Sequence, residues 1–78
     1  MALLKVRLTF PPELVTEPVI YNLGRKYKII TNIRRANITQ NAGWIILEIS
    51  GSSDEIEKAV EYLESIKVKV ELVEGDII

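Results

Sequence analysis

The sequence predicts an α+β domain of element order β-α-β-β-α-β, with a four-stranded antiparallel sheet carrying two helices on one face. Three observations lead there. Four separate stretches follow the period-two pattern of strands lying on a core. Two stretches between them repeat apolar residues at helical spacing. The middle two strands are joined by a short turn and each outer pair is joined through a helix, which makes two βαβ halves. Residues 1–78 are read as one domain, with an ordered core over about 2–73 and a loose tail over 74–78.

In residues 2–10, Leu4, Val6, Leu8 and Phe10 share one face, while Lys5, Arg7 and Thr9 share the other. Pro11-Pro12 ends this strand, because proline cannot donate to the sheet ladder. The first helix is expected to start with Thr16 as N-cap, Glu17 near the positive dipole end and Pro18 in the first turn. Ile20, Leu23 and Tyr27, with Val19 beside them, form its apolar stripe, and it is expected to run to about Lys26. Gly24 weakens this helix and is explained by close packing on the sheet.

The stretch Lys28 to Gln40 has a mixed pattern. Ile29 and Ile33 have one parity; Ile30, Ala36 and Ile38 have the other. A one-residue slip flips every side chain, so a bulge is expected between Ile33 and Ala36. Gln40-Asn41-Ala42-Gly43 makes the turn, with Asn41 and Gly43 as the residues that tolerate positive φ. Trp44 to Ser50 follows, with Ile45, Leu47 and Ile49 on one face and Trp44, Ile46 and Glu48 on the other. Ser52 and Glu55 match a capping box, and Ser53 competes as the cap. Ile56, Ala59, Val60 and Leu63 make the second helical stripe; Glu57, Lys58, Glu61 and Glu64 form its wet side. The last strand is expected over Val68 to Val73, with Val68, Val70 and Leu72 inward and Lys67, Lys69 and Glu71 outward. Right-handed crossovers and one buried sheet face make this a ferredoxin-like sandwich, with the first and third strands central.

Composition narrows the function. The chain has 78 residues, 47% hydrophobic and 27% charged, with net charge −1 and pI about 5.4. That is a globular composition, and its acidic balance argues against a nucleic-acid or anionic-membrane surface. With neither cysteine nor histidine, disulfides, thiolate metal sites, cysteine nucleophiles and the commonest general base are all excluded. No cofactor is expected. The start MALLKVRLTF has no long apolar run, so neither a signal peptide nor a membrane insertion is expected, and the location is read as cytoplasmic. No acid/base pair, activated nucleophile or glycine-rich phosphate cradle is visible, so the domain is read as non-enzymatic. The loop FPPELV lacks the arginine and anion nest that a phosphatase of this topology needs. An RNA-recognition sheet needs stacking aromatics on both central strands, and only Trp44 is present.

The open sheet face divides into two halves. Lys5, Arg7, Thr9, Lys67, Lys69 and Glu71 make a solvated half. Trp44, Ile46 and either Asn32 or Ile33, depending on the bulge, make an apolar half. Trp44 reads either as a cap on the end of the core or as the wall of an interface or ligand site. Asn32 reads either as an edge-strand residue bonding a local backbone group or as an anchor that donates to and accepts from an amino-acid ligand.

Leu8-Thr9-Phe10, Glu17-Pro18-Val19-Ile20, Asn32-Ile33, Gly43-Trp44 and Val68-Lys69-Val70-Glu71 together resemble the NIL domain family, named for an Asn-Ile-Leu triplet on the second strand. The family is best known as the C-terminal regulatory domain of the ATPase subunit of bacterial methionine importers. The resemblance implies a ferredoxin-like fold, a homodimer and methionine bound as a feedback inhibitor, with Asn32 at the ligand-contacting position. Arg34 stands where the family has leucine, so a charge enters the motif. The expectation is a stand-alone regulatory domain that binds methionine or a related amino acid through Asn32, Ile33 and Trp44. Its dimer interface is expected at Trp44, Ile46 and Arg34. The alternative is a dimerisation module without a small-molecule ligand.

Overall fold

In the computed structural model, which describes residues 1–73, the elements are β1 Ala2–Phe10, α1 Val19–Lys26, β2 Ile29–Ile38, β3 Gly43–Gly51, α2 Ser53–Ser65 and β4 Lys69–Leu72. The expected tail over 74–78 lies outside the described residues. Adjacent strands pair antiparallel in the order β2-β3-β1-β4. This is the ferredoxin-like α+β sandwich.

Register explains the core. Val6 lies opposite Leu47, Leu8 opposite Ile45 and Leu4 opposite Ile49, so the apolar parity of β1 meets that of β3 on the helix-covered face. Val19 and Leu23 from α1, and Ile56, Ala59 and Leu63 from α2, close over them. Leu8, Leu23, Leu47, Ile49, Leu63 and Val6 are almost fully buried. Each such side chain contributes about 1.5–3 kcal/mol.

The bulge falls where the parity conflict required it. The β2–β3 register shifts between Ile33 and Arg35, leaving Arg34 unpaired. Ile29, Thr31 and Ile33 lie on the helix side before the shift, and Ala36 and Ile38 lie on the same side after it. The extra residue therefore keeps Ile29, Ile33, Ala36 and Ile38 on one face, while Ile30 lies on the open side.

Several local expectations are corrected. Thr16 does not cap α1. A 3-10 turn at Pro12–Leu14 comes first, closed by Leu14 N–H donating to Pro11 O at 2.9 Å, and it packs Leu14 on the core. This delays the helix to Val19, with Pro18 at the N-cap and no side-chain cap. Gly24 is exposed, and a Cβ there would meet nothing within 4 Å, so close packing does not explain it. The hairpin turn uses no positive φ at Asn41 or Gly43. Thr39 builds it instead: its N–H donates to Ala42 O at 2.7 Å and its Oγ1 accepts from Ala42 N–H at 3.2 Å. Gly43 joins β3, opposite Phe10 and Ile38.

At α2, Ser52 is the cap, accepting from Glu55 N–H at 3.2 Å, and Ser53 is the first helical residue. The Glu55 carboxylate accepts from Lys28 N–H at 2.8 Å, which ties the helix start to the entry of β2. The far end of α2 closes as a Schellman motif. Val68 N–H donates to Leu63 O and Lys67 N–H to Glu64 O, while Val68 and Leu63 are both buried. Lys67 takes the left-handed position at φ 75°, so it belongs to this turn and not to the outward face of β4. Leu72, expected inward, is 63% exposed. Its parity is right, since it lies opposite Val6, but it sits on an edge strand.

Candidate functional site

The pairing registers lay out the open sheet face as rows. Ile30, Ser50 and Leu3 form one row; Asn32, Glu48 and Lys5 the next. Arg35, Ile46, Arg7 and Glu71 form the third, and Asn37, Trp44, Thr9 and Lys69 the fourth. The bulge thus resolves the Asn32-or-Ile33 alternative. Asn32 is on the open face, whereas Ile33 lies opposite Leu47 on the helix side. Ile33 is still 51% exposed, because it sits on the edge strand.

Glu48 ties the polar residues together. Its Oε1 accepts from Asn32 Nδ2 at 3.4 Å, and its Oε2 accepts from Arg34 Nη1 at 3.2 Å. Arg34 reaches this face because it is the bulged residue. Asn32 therefore bonds a side chain across the strand pair and not a local backbone group. Its carboxamide oxygen makes no hydrogen bond among the described residues.

Trp44 lies apart from this group. It is half-buried, and the Arg7 guanidinium carbon sits 5.0 Å from its ring centroid, so the protein's own cation occupies one ring face. Trp44 and Glu48 are four positions apart on β3, about 13 Å along the strand. Asn32 and Trp44 therefore belong to different rows of the open face. Ile46 points to the open side but is only 5% exposed, at the floor of a recess walled by Lys5, Arg34 and Arg35. Arginine and lysine stems cover apolar surface in this way while their charged heads stay in water.

The other feature is the edge strand. β2 pairs with β3 on one side only, and Ile30, Ile33 and Ile38 are 65%, 51% and 52% exposed along it. At its far end Ile38 borders an apolar hollow of about 190 Å³, lined also by Phe10, Val19 and Ile45 near the start of α1. Sequence reading missed this hollow and the Glu48 links. The partners of Glu48 depend on which residue the bulge ejects, and the hollow depends on where the 3-10 turn places the helix.

Among the described residues no three aspartate, glutamate, histidine or cysteine side chains are grouped to hold a metal ion. The Glu55 carboxyl is held below its ordinary value of 4.5, chiefly by the Lys28 backbone N–H, with Lys58 adding to the effect. This group anchors α2 and is not part of the open face. The geometry offers hydrogen-bonding, aromatic and cationic groups suited to recognition. No helix among the described residues is long and apolar enough to cross a membrane.

The fold and this face define a small ferredoxin-like domain with an open sheet and a bare edge strand. The chain belongs to the NIL domain family, whose model matches residues 4–72. It is 38% identical over 69 residues to the methionine import ATP-binding protein of Helicobacter pylori, covering 83% of this chain and 21% of that protein. It is 32% identical over 74 residues to the protein of the same description from Halalkalibacterium halodurans, covering 90% and 22%. The chain therefore spans about a fifth of the length of these curated relatives. Among solved structures it resembles the C-terminal domain of an ABC transporter ATP-binding protein from Enterococcus faecalis. That likeness has a TM-score of 0.80 and 27% identity, and covers 94% of this chain and 86% of that one.

Proposed function

We propose that this NIL domain is a non-catalytic regulatory module that binds methionine or a related apolar amino acid where two copies meet. We place it on the cytoplasmic side, serving the ATP-binding subunit of an importer. The observation that carries this reading is the position of the Asn32-Ile33-Arg34 triplet on β2. The strand runs Ile29–Ile38, unpaired on its outer side, and its midpoint falls between Ile33 and Arg34. A long, bare, apolar edge is a template for pairing with another strand. A two-fold axis at that midpoint brings Asn32, Ile33 and Arg34 of both copies together. Asn32 supplies polar contacts for an ammonium or carboxylate group, and Ile33 supplies apolar surface. The names of the relatives, methionine import proteins, point to the same ligand.

Calorimetric titration with methionine, leucine and norleucine tests the ligand. Asn32→Ala is expected to weaken binding by about 10- to 100-fold, the effect of losing a hydrogen bond to a charged group, while leaving the circular dichroism spectrum unchanged. No heat at millimolar ligand sinks the sensor reading. Sedimentation equilibrium tests the dimer; a monomer at high micromolar concentration removes the shared site. A second reading, a dimerisation module without a ligand, is favoured by one observation: Glu48 already engages both Asn32 and Arg34. Dimer formation with no heat from any amino acid identifies it.

A further inference from the structure

The open face is cationic although the chain is not. Lys5, Arg7, Arg34, Arg35 and Lys69 project there, against Glu48 and Glu71. Among the described residues, five of the ten basic residues and two of the nine acids thus share one face. The concentration has a structural cause. In a regular strand Arg34 and Arg35 point to opposite faces. The bulge leaves Arg34 unpaired, its guanidinium reaches Glu48 on the open side, and Arg35 lies opposite Ile46 on that same side.

The result is a recess of about 120 Å³, walled by Arg34, Arg35 and Lys5 over the buried Ile46. Glu48 engages one Arg34 nitrogen, which leaves that guanidinium with further N–H donors. Arg35 makes no ion pair among the described residues. Two guanidinium groups lining one recess supply several N–H donors, which suits a compact oxyanion better than a diffuse acidic surface. An apolar floor under the cations lowers the local dielectric and strengthens each contact. Trp44 does not line this recess, so the geometry there offers contacts to the anionic group alone.

We infer that the Arg34–Arg35–Lys5 recess is an anion site that takes a phosphate-class dianion. This goes beyond the amino-acid reading: it depends on Arg35 and Lys5, which that reading does not use. Binding draws Arg34 toward the anion in competition with Glu48, so occupancy of the recess and the tie between Arg34 and Glu48 are linked.

The test is a titration of the isotope-labelled chain with inorganic phosphate, followed by amide and arginine side-chain resonances, with chloride at matched ionic strength as reference. Saturable shifts at Arg34, Arg35 and Ile46 with phosphate and not with chloride are expected. Arg35→Gln is expected to lower affinity about tenfold or more, the effect of one lost charge-assisted contact. Lys69→Gln, on the same face but outside the recess, is expected to change it by less than about twofold, since screening weakens distant charges. Vesicles of phosphatidylcholine with and without phosphatidic acid separate the sources. Cosedimentation that Arg35→Gln abolishes identifies a lipid headgroup, and phosphate binding without cosedimentation identifies a free phosphate. Equal losses from Arg35→Gln and Lys69→Gln, a chloride response matching that of phosphate, or no response to either probe overturns the assignment.

Discussion

Replacing Lys67 by glycine is expected to stabilise this domain. Lys67 is the left-handed residue of the turn that closes α2, at φ 75°. Its Cβ is crowded there, a cost of about 1–2 kcal/mol for an L-residue. Glycine avoids that cost but loses about 0.5–1 kcal/mol through the greater freedom of its unfolded chain. The net expectation is a gain centred on about 0.75 kcal/mol, within bounds of about 0–1.5, which at the centre is about 3–6 °C in Tm for a domain of this size. Little opposes it: Lys67 is exposed, and the two turn hydrogen bonds come from the backbone N–H groups of Lys67 and Val68. Urea and thermal unfolding followed by circular dichroism measure the effect, with an unchanged m-value showing that the unfolded state is comparable. Lys67→Ala is the control. Alanine shares the left-handed cost, so its Tm is expected to stay near that of the parent. A glycine variant no more stable than the parent, or an alanine variant equally stabilised, would refute the conformational argument.

Three further substitutions test other parts of the frame. Gly24→Ala is expected to stabilise α1 by about 1 kcal/mol, because the position is exposed and helical and a Cβ there meets nothing. Gly51→Ala is expected to do the reverse, by about 1–3 kcal/mol, since its Cβ would lie 2.9 Å from Lys28 O at a φ of 157°. Opposite signs in the same urea assay distinguish the two glycines. For Glu55 the carboxyl value is depressed in the folded state, so its contribution is complete above the ordinary 4.5 and is lost as pH falls through the depressed value. Glu55→Gln is therefore expected to narrow the difference in urea midpoint between neutral and acidic pH. An unchanged slope on the acid limb argues against the tie to Lys28.

Element order, the bulge between Ile33 and Ala36 and the core parities of β1, β3 and α2 were all legible in the residues. They rest on local periodicity, which a single chain displays without reference to its neighbours. The site was legible in its parts only. Asn32, Arg34, Trp44 and Ile46 could each be singled out as unusual. Their grouping could not, because it depends on cross-strand register. Asn32 and Arg34 meet at Glu48, sixteen and fourteen residues away in sequence, while Trp44 is matched with Arg7 on the other central strand.

The alternation of apolar and polar residues by itself determined the element order βαββαβ and one covered sheet face, since both helical stripes and the inward parities of the strands need a common core. The likeness to NIL domains was likewise carried by residues along the chain. Only the tertiary structure decided which side of the bulge each arginine takes. It also decided that Ile46 lies beneath charged stems, that Lys67 belongs to a helix cap and that Leu72 stays exposed. These outcomes turn on packing and register between segments far apart in sequence, where a shift of one residue reverses the face of every side chain that follows.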